Sequence, residues 1–217
     1  YSDNPWFSRE LDEQRRHDKE TMPENLYNHV WGGEYLLDDD TSVIKSAWVL
    51  SSIDAHKLIP EMADGRPVLG YDVADDGDDA NATILRSGSV AVHSDMWKGL
   101  EDQLLKSCTR AYHTAQQASA HIVYDSIGVG ASAGGKFNEL NDANKNNKLT
   151  HAGFNAGGKV LRPDAIYGDT KIKNKDFFAN IKAQMWWQVA DRFRLTHQVI
   201  EAIKNGTKPP TFKADEL

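Results

Sequence analysis

The sequence predicts a mixed α/β fold: an antiparallel meander of three strands beside at least one parallel strand. Two observations carry this. Between Pro67 and Met96, three short runs rich in Val, Ile and Leu (Pro67 to Val73, Ala80 to Arg86, Ser89 to Met96) are separated by Asp-Gly-Asp-Asp and by Ser87-Gly88. Such alternation between turn signals marks strands joined by tight connections. Next, Leu100, Leu104, Cys108, Ala111 and Ala115 recur at three- and four-residue spacing within Lys98 to Ala120, the pattern of a helix with one buried face, before the strand-like run His121 to Asp125. After a right-handed crossover, a fourth strand returns parallel to the first. The carboxylates of Asp72 and Asp125 are then expected to emerge side by side.

The other elements follow in chain order. Residues 1 to 35 read as two short helices, the first capped by Ser8, the second opened by Pro23 and closed by Gly32-Gly33. Leu26, Tyr27, Val30 and Trp31 give the second helix an apolar face. Ser42 to Glu61 is expected to be helical up to Pro60. Past the fourth strand, Gly128 to Gly135 leads into a helix ending near Leu140. A polar loop and a long helix from Asp176 to Lys204 complete the chain, stopped by Gly206 and Pro209-Pro210. Ile181, Met185, Val189 and Phe193 are expected to form the core stripe of that helix. One of Trp186 and Trp187 must pack on another element, and Lys182 and Arg192 are placed on the polar face nearest the site.

Composition narrows the function. A chain of 217 residues can bury a core, and no apolar run approaches the ~18 residues of a membrane span. The start, Tyr1-Ser-Asp-Asn-Pro-Trp, is not a signal peptide and reads as a cut inside a longer chain. A single cysteine excludes an internal disulfide and a CxxC zinc pattern, and the eight histidines form no HxxxH or HExxH pair. The net charge of −7 argues against a protein that coats nucleic acid by charge alone. Charge is unevenly spread, however: Lys136 to Lys175 carries +4 against −11 for the remainder. Within and just after that segment, Lys145, Lys148, Lys159, Arg162, Lys171, Lys173, Lys175 and Lys182 are candidate phosphate contacts without base readout.

Asp72-Val-Ala-Asp-Asp-Gly-Asp-Asp79 places five aspartates in eight residues. Asp75, Asp76 and Asp78 read as a solvated turn, but Asp72 interrupts the apolar strand Val68 to Val73, where a carboxylate without a partner is costly and a cation offsets the cost. This is no EF-hand: with Gly77 at loop position six, position three is Ala74 and position twelve is Thr83. Asp125-Ser-Ile-Gly128-Val-Gly130-Ala-Ser-Ala133 has the spacing of a dinucleotide fingerprint, yet Asp125 would repel a pyrophosphate there. A strand-end acid suits a metal better, and the glycines allow a nucleic-acid backbone to approach.

Taken together, these segments resemble the C-terminal nuclease region of the large terminase subunit of tailed bacteriophages. Tyr1 to Phe7 with Leu26 to Glu34 is similar to the segment joining the ATPase to the nuclease, Asp72 to Asp79 to the first acidic motif, Asp125 to Ala131 to the second, and Lys182 to Arg192 to the helix that follows. The resemblance implies an RNase H-like fold, with residues 1–40 a helical hinge from an absent ATPase domain and 41–217 a nuclease domain incomplete at its C-terminus. It implies a Mg²⁺- or Mn²⁺-dependent endonuclease cutting concatemeric double-stranded DNA during packaging, in the host cytoplasm, beside a portal protein and a small terminase subunit. Asp72 and Asp125 match the family's metal-binding acids; the third has no counterpart after Gly206, and Asp79 or Asp75 is the nearest substitute. The rival expectation is a non-catalytic module that docks DNA or the motor.

Overall fold

The computed structural model of the chain describes residues 7–34, 42–74, 79–99 and 104–217. It divides into two compact units, Tyr1–Ala47 and Trp48–Leu217. In the first, helix α1 (Arg9–Thr21) opens at Ser8, whose side chain accepts from the Leu11 amide, and α2 (Glu24–Gly32) ends at left-handed Gly33. The two helices join through polar contacts: Arg15 donates to the Tyr27 hydroxyl at 2.9 Å and the Trp31 indole to Asp18 at 3.0 Å. Val30, assigned to the docking face, is exposed.

The second unit is built on one five-stranded sheet of order β3-β2-β1-β4-β5. Strands β1 (Val68–Asp72), β2 (Ala80–Ser87) and β3 (Val90–Lys98) form the antiparallel meander. Helix α4 (Leu104–Gln117) then crosses to β4 (His121–Asp125), which pairs parallel to β1. Helix α5 (Ala133–Ala143) leads to β5 (His151–Phe154), parallel to β4 at the edge. No strand was expected at β5: the run is short and barely alternates, and its pairing with β4 makes it one.

One sheet face is closed by α4 and α5. Leu69, Tyr71, Ile122 and Tyr124 from β1 and β4 pack against Cys108, Ala111, Tyr112 and Ala115 of α4 and Ala133 and Phe137 of α5. Tyr112 hydrogen-bonds Asn141, whose side chain also takes the Leu149 backbone, so these polar groups at the α4–α5 contact are paired. Leu100 lies outside the described residues.

Three sequence expectations are corrected. Ser42 to Pro60 is not one helix but α3 (Ser46–Ser52) followed by two short 3₁₀ turns, because Asp54 takes a left-handed φ of 60°. The long C-terminal helix is split: α6 (Asn174–Phe177) stops before Asn180, which caps α7 (Ile181–Lys204) by accepting from the Ala183 amide. On α7 the buried face is Gln184, Ala190, Thr196, Val199 and Ile200, not the expected stripe. Met185, Val189 and Phe193 instead line a cavity of about 750 Å³ with α3 and the β2–β3 turn.

A candidate metal centre and nucleic-acid interface

The parallel pairing of β1 with β4 matches Leu69 with Ile122, Gly70 with Val123 and Tyr71 with Tyr124. The next step along both strands reaches Asp72 and Asp125. Neighbouring strands lie about 4.8 Å apart, and residues in matching register point to the same face. Since Tyr71 and Tyr124 are buried against α5, the two aspartates stand on the opposite, open face, with Asp72 exposed and Asp125 half-buried.

Local structure fixes each acid differently. Asp125 Oδ1 accepts from the Ile127 amide at 3.0 Å, and its second oxygen takes no hydrogen bond among the described residues. The chain then turns through Gly128, at φ 59°, into a 3₁₀ turn over Gly128–Ser132. Gly130 packs so closely under the strand end that a Cβ there would lie 1.9 Å from the Asp125 carbonyl oxygen. The glycines of this motif therefore fold the chain back beneath Asp125. They do not open a long helix at Gly128, as a dinucleotide fingerprint would.

Asp72 pairs across β2 with Ala82 and is followed by buried Ala74. The Ala74 amide donates at 3.1 Å to Asn81 Oδ1, which also accepts from the Tyr71 hydroxyl at 2.7 Å. Burial, and then the neighbouring Cys108 thiol, hold the Tyr71 phenol far above its ordinary pKa, so it is a donor at every physiological pH. Asp79 is exposed at the start of β2, while Asp75, Asp76 and Asp78 lie outside the described residues. Among the described residues no group of three or more His, Cys, Asp or Glu side chains converges. Two carboxylates thus fit one hard divalent cation by charge and by oxygen chemistry.

The last part of the basic segment, beyond β5, folds as a small hairpin. Ile166 bridges Lys173, the Tyr167 amide donates to the Ile172 carbonyl at 3.0 Å, and Lys171 occupies the turn with φ 61°. Buried Asn174 secures its base, donating to the carbonyls of Leu161 and Arg162 at 3.0 Å each. Gln184 reaches out of α7 to clamp Leu161 through both its N–H and its C=O. Tyr167 packs on Phe177, Phe178 and Trp187, so Trp187 is the tryptophan that meets another element and Trp186 stays exposed.

Lys159, Arg162, Lys171, Lys173, Lys175 and Lys182 are all exposed on this side, with Lys145 and Lys148 exposed beyond α5. Asp164 takes both Lys175, at 2.8 Å, and Lys173, at 3.2 Å, and Asp142 takes Lys148 at 3.3 Å. The Lys182 amide donates to Ala156, just past the end of β5 that lies beside Asp125, so the start of α7 sits at the acid end of the sheet. Arg192 does not. Its guanidinium donates to Ser89 in the β2–β3 turn, at the other end of β1 and β2. Missed from sequence were Asn81, Asn174 and Gln184, buried polar residues whose only signal is an amide side chain within a run otherwise read as strand, loop or helix.

No protein-family model matches the chain, and no curated protein sequence matches it. Solved structures do. The nuclease domain of the large terminase subunit gp2 of bacterial virus Sf6 is 29% identical, with a TM-score of 0.67 over 82% of this chain and 72% of that one. Over the same shares, a mutant of that domain with manganese and beta-thujaplicinol is 29% identical with a TM-score of 0.68, and a mutant gp2c with calcium is 27% identical with a TM-score of 0.66. The mixed open sheet flanked by helices is accordingly RNase H-like, and the solved structures that this chain resembles, in sequence as well as in fold, are nuclease domains of a phage large terminase subunit.

Proposed function

We propose that the chain is the nuclease part of a phage DNA-packaging machine, cutting concatemeric double-stranded DNA with Asp72 and Asp125 holding Mg²⁺ or Mn²⁺. The observation that carries this is the pair of carboxylates at the ends of adjacent parallel strands, on the open face of the sheet. Solved relatives with manganese or calcium support a divalent ion. When bound, such an ion lowers the pKa of a coordinated water and offsets charge on the leaving oxygen. The chain's own residues do the rest. Asp125, held through Oδ1 by the Ile127 amide, presents its other oxygen, which takes no hydrogen bond among the described residues. The exposed lysines of the hairpin and Lys182 take backbone phosphates, which positions a duplex without reading its sequence. Asp79 or Asp75, from the same motif, is the substitute for a third ligand. Residues 1–40 serve as the hinge to an ATPase domain, with the portal protein and small subunit as further partners in the host cytoplasm.

One observation favours a second reading, a non-catalytic module that docks DNA or the motor: no third carboxylate converges among the described residues. Nicking of supercoiled plasmid in Mn²⁺, with EDTA and Asp125→Asn controls, separates the two. The nuclease reading expects slow cutting that both controls abolish. No cutting alongside intact DNA binding would support the docking module instead.

A further inference from the structure

We infer that Asn81 is a positioning residue for Asp72, its buried carboxamide holding the Tyr71 side chain on one side of that carboxylate and the Ala74 backbone amide on the other. The inference rests on the reading of Asp72 as a metal-holding acid. Asn81 has no exposed surface and sits second in β2, on the sheet face opposite Asp72. Its Oδ1 accepts from the Tyr71 hydroxyl, one residue before Asp72, and from the Ala74 amide, two residues after it. One oxygen therefore ties together the chain entering and leaving the acid.

The two ends of this clamp differ in what else holds them. Tyr71 is seated by its ring, stacked on Trp97 at 6.0 Å and packed near Phe137 at 6.4 Å. Ala74 has left the ladder, whose last β1 pair is Asp72 with Ala82. Its amide lies two residues beyond the strand end, at the base of a run holding four more aspartates. A neutral carboxamide on the far face holds this amide without adding charge to the acidic site.

The other half of the carboxamide shows what the clamp costs. Among the described residues, Asn81 Nδ2 is buried with no hydrogen-bond partner, and so is the nearby Thr83 Oγ1. A buried donor without a partner destabilises a fold, and an apolar residue of the same shape would remove that cost. What leucine could not supply is the acceptor for Tyr71 and Ala74. The carboxamide is thus matched to holding this strand end, and outer contacts that orient a ligand typically change metal affinity by 10- to 100-fold.

Calorimetric titration of Mn²⁺ into wild type, Asn81→Leu, Tyr71→Phe and Val199→Ala tests the inference, with urea unfolding of each metal-free protein alongside. Val199 belongs to a separate core cluster and reports general destabilisation. The expected result is about a tenfold loss of Mn²⁺ affinity in Asn81→Leu, a smaller loss in Tyr71→Phe, which keeps the Ala74 bond, and none in folded Val199→Ala. Should Asn81→Leu not fold, Tyr71→Phe and amide exchange at Ala74 carry the test. Equal affinity in wild type and the clamp variants, or an equal loss in Val199→Ala, overturns the inference alone. A wild type that takes up no Mn²⁺ sinks the metal reading of Asp72 and the inference with it.

Discussion

Asp72 and Asp125 end adjacent parallel strands in matching register, one residue past the Tyr71–Tyr124 pair, with both tyrosines facing the core. Sheet pleating then sends both carboxylates to the open face. Their mutual repulsion without metal is the physical reason a cation should stabilise this end of the sheet.

Calorimetry with Mn²⁺ should therefore give a stoichiometry near one and a melting temperature that rises with metal concentration by mass action. Asp72→Asn and Asp125→Asn should each weaken binding at least about tenfold, as expected when one of two ligand charges is removed. Asparagine keeps an oxygen for the Ile127 amide, so Asp125→Asn should unfold at nearly the wild-type urea concentration. Two tightly bound ions would mean that a further acid, with Asp79 or Asp75 first in line, completes the site.

Gly130→Ala tests the turn beneath Asp125. An added Cβ would meet the Asp125 carbonyl oxygen at 1.9 Å, a backbone atom that cannot swing aside. Forcing such a contact typically costs about 1–3 kcal/mol, which urea denaturation resolves. Because the displaced atom belongs to Asp125, Mn²⁺ affinity should fall as well. Gly135→Ala, where a Cβ meets nothing within 4 Å and alanine favours the helix α5 that holds it, is the control and should unfold no earlier than wild type.

The acid pair was legible in the sequence because it follows from three local patterns: a meander, a crossover helix and a strand ending in Asp. Each depends on periodicity within a few residues. What failed depends on distant partners. His151–Phe154 becomes a strand only by pairing with β4. The buried face of α7 shifted because Gln184 is drawn in by the Leu161 backbone 23 residues earlier, leaving Val189 40% exposed. Asn81 falls within the Ala80 to Arg86 run read as a strand, and only the fold shows its side chain buried and bonded to Tyr71.

Stability should depend on pH through His151. Desolvation, and then the nearby His121, hold its pKa below the ordinary value. Its ring lies against Tyr124 and Phe137, and Nε2 meets Asn138 Oδ1 at 3.0 Å. With a depressed folded value, the unfolded chain binds more protons just below about pH 6.5, so stability rises with pH through that window and is lost as pH falls. The urea midpoint of His151→Gln should change less between pH 7.5 and pH 5.5 than that of wild type. An identical acid sensitivity in both proteins would assign the effect to other groups.

DNA affinity should be governed by the hairpin around Lys171 rather than by the chain's net charge. Asp164 accepts both Lys173 and Lys175, and those two cations draw its carboxyl below the usual carboxylate range, Lys175 contributing most. All three groups are exposed, where ion pairs are weak, so a backbone phosphate can replace Asp164 at little cost. Asp164→Asn should then tighten binding to duplex DNA by about two- to fivefold at low salt. It should also steepen the fall of log affinity with log salt, since the freed lysines release more counterions. Wild type should show a shallow slope of about −2 to −4, from roughly two to four phosphate contacts, with little base preference. Replacing Lys171, Lys173 and Lys175 together by Ala should flatten the slope and weaken binding uniformly across sequences. Fluorescence anisotropy at several salt concentrations measures both quantities. If neither variant changes affinity or slope, the hairpin is a solvated loop and the phosphate contacts lie elsewhere on the chain.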